Sequence, residues 1–575
     1  MKKIFYQKYG WLALLVLLIA VNFIAAKFHY LADLTKEKRY TLSNATRQTI
    51  QQLQEPVYID VFLKGDFPAG FKKLSNSTLE FLQLLKDVNS SKIIYRFITP
   101  EEDIPGTTKK YADSLQALGA SPINLSVQIK GGQKQQMIYP VALAKYKDRF
   151  SLIELYSGAK RIITQDEINN AEATMEYQFV KTIDELSSEK KPVIAYATGN
   201  GEPTGPETFD FRQAVQQRYR LNTFDLSQQK FISPDIDVLI ITKPTIQFTD
   251  EEKLKLDQYV MHGGKIIFLV DALVAEQDSL QFKPETIAYD RNLNLADLLF
   301  RYGVRINPDL VMDLQCDFLP FRVGGSNENP QFEFLRWNYY PVFQSRSTHI
   351  INRNLGLVCS RFVNSIDTVS AENVKKTILL SSSPNSRIIS TPALISLNEN
   401  KITPEDSKFK SDNIPVAVLL EGKFTSLYRN RLGVAAKDSL QKLGLPFKES
   451  SEENSKIIVV ADGDIMLNDF TQATGPLYMG WNKYTYQAYQ NGDEAGKYFI
   501  PYANRNFILN CLEYFTNKPG IIETGNKQII LRMLDPKKIN LQRSLWLLVN
   551  IALPVLLIIL FGLAYQRIRK TRYSR

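Results

Sequence analysis

Residues 199 to 205 read Gly-Asn-Gly-Glu-Pro-Thr-Gly between a short apolar strand and a helix. Dinucleotide folds place there the glycines that let backbone amides approach a pyrophosphate. The spacing here is G-x-G-x-x-x-G, one residue longer than that fingerprint, with Pro203 inside the loop. Asp225 closes the next expected strand, where a ribose-binding acid would stand. Apolar end segments place this region outside the cytoplasm, where nicotinamide cofactors are rarely met, so no cofactor is assigned. Gly199, Asn200, Gly201 and Glu202 are read as a tight strand-to-helix turn and as a candidate ligand or partner loop.

A second group is acidic. Asp462-Gly463-Asp464 follows an apolar strand and imitates the paired carboxylates that grip a divalent ion. A strand-end turn favours the same residues for local backbone bonding. Asp271 ends the strand 265–270, where some α/β hydrolases and amidotransferases carry a nucleophile. His29, His262 and His349 lie singly, and Cys316, Cys359 and Cys511 are too widely spaced for a metal knuckle. The sequence holds no G-x-S-x-G elbow and no G-x-x-x-x-G-K-[ST] phosphate loop, so it does not power transport itself. Two aromatic groups, Trp337 to Pro341 and Tyr478 to Tyr489, suit core packing and an interface equally.

The elements that would position these residues alternate helix and strand. Residues 57–63 and 92–99 read as strands around an amphipathic helix from 74 to 88, a βαβ pattern that predicts a largely parallel sheet. Thr164 and Glu167 form a capping box for a helix whose Ile168, Ala171, Met175, Phe179, Ile183 and Leu186 share one face. From Pro192 a second α/β unit begins, with strands at 193–197, 238–242 and 265–270. A second capping box, Thr249/Glu252, starts its helix, and Gly263 stops it. Segments after residue 310 are expected to complete this sheet.

Apolar segments stand at 11–26 and 545–565. A bilayer core needs roughly 20 apolar helical residues. The second segment meets that length, and its neighbours extend the first to 10–28. Cleavage as a signal peptide, with Ala25-Ala26 as the exit, is the alternative for the first. Lys2, Lys3 and Lys8 precede the first segment, and Arg567, Arg569, Lys570, Arg572 and Arg575 follow the second. Positive charge beside a span stays cytoplasmic, so both tails are expected inside and the body outside. The net charge of +10 over 575 residues is carried substantially by these tails, which points to anionic lipid and away from nucleic acid. The resulting division is a tail (1–9), a span (10–28), an α/β domain (40–160), a connecting helix (161–190) and a larger α/β domain (191–520). A juxtamembrane linker (521–544), a second span (545–565) and a basic tail (566–575) complete it.

Several phrases together resemble one family. They are Arg39-Tyr40-Thr41-Leu42-Ser43 after the first span, Pro56 to Leu63, Gly199-Asn200-Gly201-Glu202 after its strand, and Tyr259 to Lys265. In this order they are similar to the gliding-motility ABC transporter auxiliary proteins (GldG-like), across nearly the whole chain. Asn200 stands where many relatives have histidine. The resemblance implies an inner-membrane, non-enzymatic subunit paired with an ABC permease and, through it, a cytoplasmic ATPase, often labelled substrate-binding. Self-association within the complex is left open. It also implies an amidotransferase-like three-layer sandwich for the larger domain, without the catalytic cysteine. A membrane-tethered hydrolase or amidotransferase-like enzyme of the cell envelope using Asp271, Asp462 and Asp464, and a purely structural scaffold, are the alternatives. Asn550, Pro554 and Gly562 mark the second span as a candidate permease-docking helix, because polar groups in lipid prefer a partner.

Overall fold

The computed structural model describes residues 15–19, 41–156, 165–275, 280, 285–397, 406–451, 455–524 and 536–573. Residues 119, 121, 130, 131, 189, 327, 346, 354, 443 and 518 are excepted. Residues 15–19 are helical; the remainder of the first apolar segment, the tail before it, His29 and Thr164 lie outside the described residues.

The first unit opens with α1 (Asn44–Gln51), capped by Ser43, whose Oγ accepts the Thr46 N–H at 3.1 Å. β1 (Val57–Val61), α2 (Ala69–Val88) and β2 (Ile93–Phe97) form the expected βαβ unit, and β1 and β2 pair in parallel. After α3 (Tyr111–Ala117) come a hairpin, β3 (Ile123–Ile129) and β4 (Gly132–Ile138), and then β5 (Val141–Tyr146) and β6 (Arg149–Glu154). The four-stranded order is β2-β1-β5-β6, with β5 antiparallel to both neighbours. This sheet is therefore mixed, where alternation alone predicts a largely parallel one. Tyr146 pairs with Arg149, so only Lys147 and Asp148 join β5 to β6, and Lys147 takes a positive φ of 52°. A connection that short permits only an antiparallel hairpin.

The helix α4 (Gln165–Ser187) is longer than a connector needs. Its stripe Ile168, Ala171, Met175, Phe179, Ile183 and Leu186 is buried in the same core as Val57, Ile59, Phe71 and Leu82. The helix read as a connection is thus a layer of the first unit.

The second unit begins with β7 (Val193–Thr198), α5 (Phe209–Arg218), β8 (Arg220–Asp225), β9 (Val238–Thr242), α6 (Asp250–Met261) and β10 (Lys265–Leu269). The Thr249/Glu252 capping box forms as expected. Gly263, at φ 92°, follows the C-cap His262. Next come β11 (Leu273–Val274), β12 (Glu285–Asp290), α7 (Ala296–Tyr302), β13 (Val304–Ile306), β14 (Asp309–Asp313), β15 (Cys316–Gly325), β16 (Pro330–Phe343), β17 (Val358–Cys359) and β18 (Ile366–Thr368). The unit continues through β19 (Val374–Ser381), β20 (Ser386–Ser390), β21 (Ala393–Ser396), β22 (Pro415–Gly422), α8 (Val434–Lys442), β23 (Ser455–Val460), β24 (Phe470–Thr471), β25 (Gly475–Pro476), α9 (Lys483–Asn491), α10 (Asn504–Thr516) and α11 (Pro519–Thr524).

Seven strands in the order β19-β22-β23-β10-β9-β7-β8 form the principal sheet. The run β23-β10-β9-β7-β8 is parallel, and β22 and β19 close one side antiparallel. Of the segments after 310, β19, β22 and β23 complete this sheet. The others build small sheets, several of them around a separate core containing Leu310, Trp337, Tyr339, Tyr340 and Phe362.

The two units are latched at Glu513 on α10. Its carboxylate takes the Lys181 ammonium and the Tyr177 hydroxyl, both from α4, with the Arg218 guanidinium at 3.9 Å. Burial alone would raise Glu513, but Lys181 and Arg218 outweigh it and hold this acid below the usual carboxylate range. Three residues past α10 the chain enters α11, where a Cβ on Gly520 would stand 3.1 Å from the Ala45 Cβ. The first helix and the last helix of the body therefore touch.

The final helix, α12 (Pro536–Tyr573), starts inside the stretch read as a linker and continues into the basic tail. The stretch Leu545–Thr571 within it contains an 18-residue window of mean hydropathy 2.7 with no buried residue, and is long and apolar enough to cross a membrane.

Glu513→Ala strands the Lys181 ammonium, whose side chain is only 6% exposed. Truncating one partner of such a buried pair costs about 3–5 kcal/mol, which thermal unfolding of the detergent-solubilised protein would register. Because the folded value of Glu513 is depressed, its stabilisation is present above the ordinary carboxylate pKa and disappears as pH falls through the lowered value. The Ala variant and the parent should therefore converge in acid.

Candidate functional site

The order of the parallel run creates a crevice. β7 leads through α5 to β8 on one side, while β9 lies on the other side of β7. Ligands in open α/β sheets bind beyond the carboxyl ends of strands at such a reversal. The Gly199–Glu202 loop leaves β7 there, and Lys243 to Thr245 leave β9. The two loops are stitched together: the Asn200 carbonyl accepts the N–H groups of Thr245 (2.9 Å) and Ile246 (2.8 Å).

Both glycines of the loop are required by backbone geometry. Gly199 has φ 116° and Gly201 φ 79°, and a Cβ on Gly201 would lie 2.0 Å from the Thr245 Oγ1. Glu202 folds back so that its Oε2 accepts the Asn200 N–H at 2.8 Å, while the Asn200 amide donates to Glu252 at 3.2 Å. The second polar atom of each side chain, Asn200 Oδ1 and Glu202 Oε1, is buried without a hydrogen-bond partner. Burial pushes Glu202 above the usual carboxylate range. Asp225, in the ribose-acid position, accepts from Ser227 N–H, Ser227 Oγ and Gln228 N–H. It caps its own turn.

The three acids singled out in the sequence converge at the ends of β10 and β23. Asp464 takes the Lys243 ammonium on both oxygens, at 2.9 and 2.8 Å. Asp271 Oδ2 lies 3.7 Å from the same ammonium, and its Oδ1 accepts the Gly463 N–H at 2.6 Å. Asp462 is fully buried and accepts from the N–H groups of Asp464 (2.7 Å) and Arg361 (2.8 Å). Burial, with Asp464 and Asp271 nearby, pushes Asp462 well above the usual carboxylate range. Arg361 bonds Asp469 at 3.0 Å and lies over the Tyr340 ring. The acids are thus tied to one another through Lys243 and backbone amides. Among the described residues no group of His, Cys, Asp and Glu is arranged to hold a metal ion.

Lys243 and Arg361 escape a sequence reading, because each is brought in by a distant segment. The usable signal at Lys243 is a lysine directly after the strand Val-Leu-Ile-Ile-Thr, which is buried throughout. It adopts φ 45° before Pro244, an uncommon conformation for a non-glycine residue. Gly463 allows that approach, since a Cβ there would lie 2.5 Å from the Lys243 Cβ.

The remaining candidates separate cleanly. Cys316, Cys359 and Cys511 are free, buried thiols raised by burial. His262 caps α6 and meets the Pro446 carbonyl at 2.9 Å, and His349 accepts the Ile351 N–H through Nδ1. Trp337, Tyr339 and Tyr340 are core. Tyr478, Trp481, Tyr486, Tyr489 and Phe499 instead form a surface cluster with ring centroids about 5 Å apart. On α12, Asn550, Pro554 and Gly562 are exposed, with open space where a Cβ on Gly562 would be.

A large α/β unit with bonded acids at its strand ends, together with one helix long and apolar enough to cross a membrane, defines an α/β protein suited to a membrane. Residues 191–511, more than half the chain, match the family described as an ABC-type uncharacterized transport system, and the chain belongs to that ABC transport auxiliary family. Residues 36–145 match a domain of unknown function (DUF7088). An uncharacterized protein of Borreliella burgdorferi (strain ATCC 35210 / DSM 4680 / CIP 102532 / B31) is 22% identical over 448 residues, covering 75% of this chain and 77% of its own. Among solved structures, the mmIFT52 N-terminal domain aligns at 12% identity over 57% of this chain and 98% of that one, with a TM-score of 0.29. A putative ThuA-like protein from Parabacteroides merdae ATCC 43184 aligns at 9% identity over 57% and 91%, with a TM-score of 0.24.

Replacing Lys243 by Met leaves Asp464 and Asp271 without their cation and is expected to lower stability by about 3–5 kcal/mol. Gly201→Ala combines the steric conflict at Thr245 with a left-handed backbone cost of about 1–2 kcal/mol. Both read out as lowered melting temperature. Glu202→Gln works in the opposite direction. The folded carboxyl is raised, so the parent loses stability as pH climbs from the ordinary value through the raised one. The Gln variant has no proton to lose, and its melting temperature should exceed the parent's by more at pH 8 than at pH 4.

Proposed function

We propose that the chain is a non-catalytic subunit of an ABC transport complex, anchored at both ends in the inner membrane, with its body on the periplasmic face. The observation that carries this reading is the contact between the two ends of the body. Ser43 N–H and the Thr46 hydroxyl both bond Glu176 of α4, and α11 packs on α1 through Gly520 and Ala45. The chain therefore leaves toward residues 1–40 and toward α12 from one place, as two tethers to one membrane require. The basic residues outside each apolar segment support cytoplasmic tails. The parallel run of the principal sheet is compatible with the amidotransferase-like sandwich. Association with gliding motility rests on the resemblance of the quoted phrases.

The span itself supports docking on a permease. Proline removes the N–H that would bond the carbonyl four residues earlier. Pro554 therefore releases the carbonyl of Asn550, whose side-chain amide lies at the same level of the helix. Two polar groups are presented together in hydrocarbon, where a neighbouring helix satisfies them best. Mild-detergent purification is expected to recover a multispan permease and, through it, an ATPase. Asn550→Leu combined with Pro554→Leu removes both groups, worth about 1–2 kcal/mol, and should reduce recovered permease roughly five- to thirtyfold. Recovery of the parent protein alone, under conditions that preserve other ABC complexes, contradicts the proposal.

A further inference from the structure

A cavity of about 420 Å³ lies at the opposite end of the principal sheet from the carboxylate cluster. Its wall is Phe231 and Ile232 from the β8–β9 connection, Leu254 and Tyr259 from α6, and Leu440 and Leu445 from α8 and the turn after it. That volume falls within the roughly 300–1,000 Å³ typical of small-molecule pockets, and the lining is mainly apolar as such pockets are. Lys230, Lys255 and Lys265 also line it, against the acids Asp237 and Glu251. Both acids are engaged: Asp237 accepts the Val193 N–H at 2.7 Å, and Glu251 pairs with Lys255 at 3.2 Å. Lys255 is thereby offset, and the positive margin of this apolar slot is Lys230 and Lys265.

Its position narrows the ligand further. The Lys265 ammonium donates to the carbonyl of Phe515 in the last turn of α10. Pro519, which opens α11, lies four residues on, a reach of at most about 14 Å. α11 is the helix that touches α1 where both tethers leave the body. The slot therefore sits at the membrane-facing end, given that Leu545–Thr571 spans the bilayer.

We propose that this cavity holds the hydrocarbon chain of a single-chain anionic amphiphile, with its head group at the lysine margin. The occupant is lipid-derived: a fatty acid or a lysophospholipid supplies both a chain for the slot and a negative head for Lys230. The proposal rests on the membrane-tethered reading above and is independent of permease docking.

The test uses the full chain in lipid nanodiscs, with dansyl-undecanoate as the probe and empty discs as the blank. Saturated fatty acids of increasing length should displace the probe with affinity rising about fourfold per methylene, then levelling once the slot is full. Partition into the bilayer continues to rise without levelling. Lys230→Glu, at an exposed position that leaves the core untouched, and Leu254→Trp, which fills the slot, should each weaken binding at least tenfold. Tighter displacement by lysophosphatidate than by laurate, or the reverse, identifies the head group, and either supports the proposal. An affinity that never levels, a Lys230→Glu variant that binds like the parent, or decanol displacing as well as decanoate would overturn it. Loss of the permease on purification leaves these outcomes unchanged, so the two readings fail separately.

Discussion

A single buried carboxylate, Glu513, ties the two α/β units to each other. Two cations and a phenol reach it from two directions, Lys181 and Tyr177 from α4 and Arg218 from α5. An acid so deeply enclosed is tolerable only with partners, because desolvating an unpaired charge costs several kcal/mol. The three partners come from the last layer of the first unit and the first crossover helix of the second. Glu513 itself lies on α10, which leads through α11 toward the membrane helix. This ionic contact, with the packing of α11 on α1 and α4, holds the two α/β units against each other.

The strand ends of the principal sheet obey the same rule on the other side of the molecule. Asp271, Asp462 and Asp464 could not share so dry a site if all depended on water. Lys243 supplies the charge, and the amides of Gly463, Asp464 and Arg361 supply the hydrogen bonds. The cost appears in the backbone, as a left-handed lysine pressed against a glycine. A metal-gripping acid pair would instead present its oxygens to an open position. Here both Asp464 oxygens face the ammonium.

Local order was legible wherever a segment carried its own instructions. The Thr249/Glu252 box, the Gly263 stop and the apolar strands before Gly199, Lys243 and Asp271 follow from neighbours in the sequence, and each forms. What needed a distant partner was not legible. The antiparallel return of β6 depends on a two-residue turn whose lysine takes a positive φ, a signal weaker than the surrounding alternation. α4 reads as a connector until its apolar face meets β1 and α2. The cluster of three acids shows the same division: their strand-end positions were readable, while their convergence on Lys243 and Arg361 required the order in which five strands assemble. The aromatic groups, equivalent in composition, part for the same reason, since only tertiary packing makes Trp337 core and leaves Tyr478 and Tyr489 at the surface.

The membrane helix and the body also constrain each other. A helix that only held the body in lipid would need apolar length and nothing more, and polar atoms within it would be a pure cost. Pro554 and Asn550 stand four residues apart, so the carbonyl freed by the proline and the amide of the asparagine fall at one level of the span. Neither group contributes to spanning. On the proposed reading a neighbouring helix stabilises them, while the body's two ends are brought together by Ser43 and Thr46 on Glu176 and by α11 on α1. On that reading, a partner that satisfies the span is brought to the same membrane as a body whose first and last helices, α1 and α11, meet.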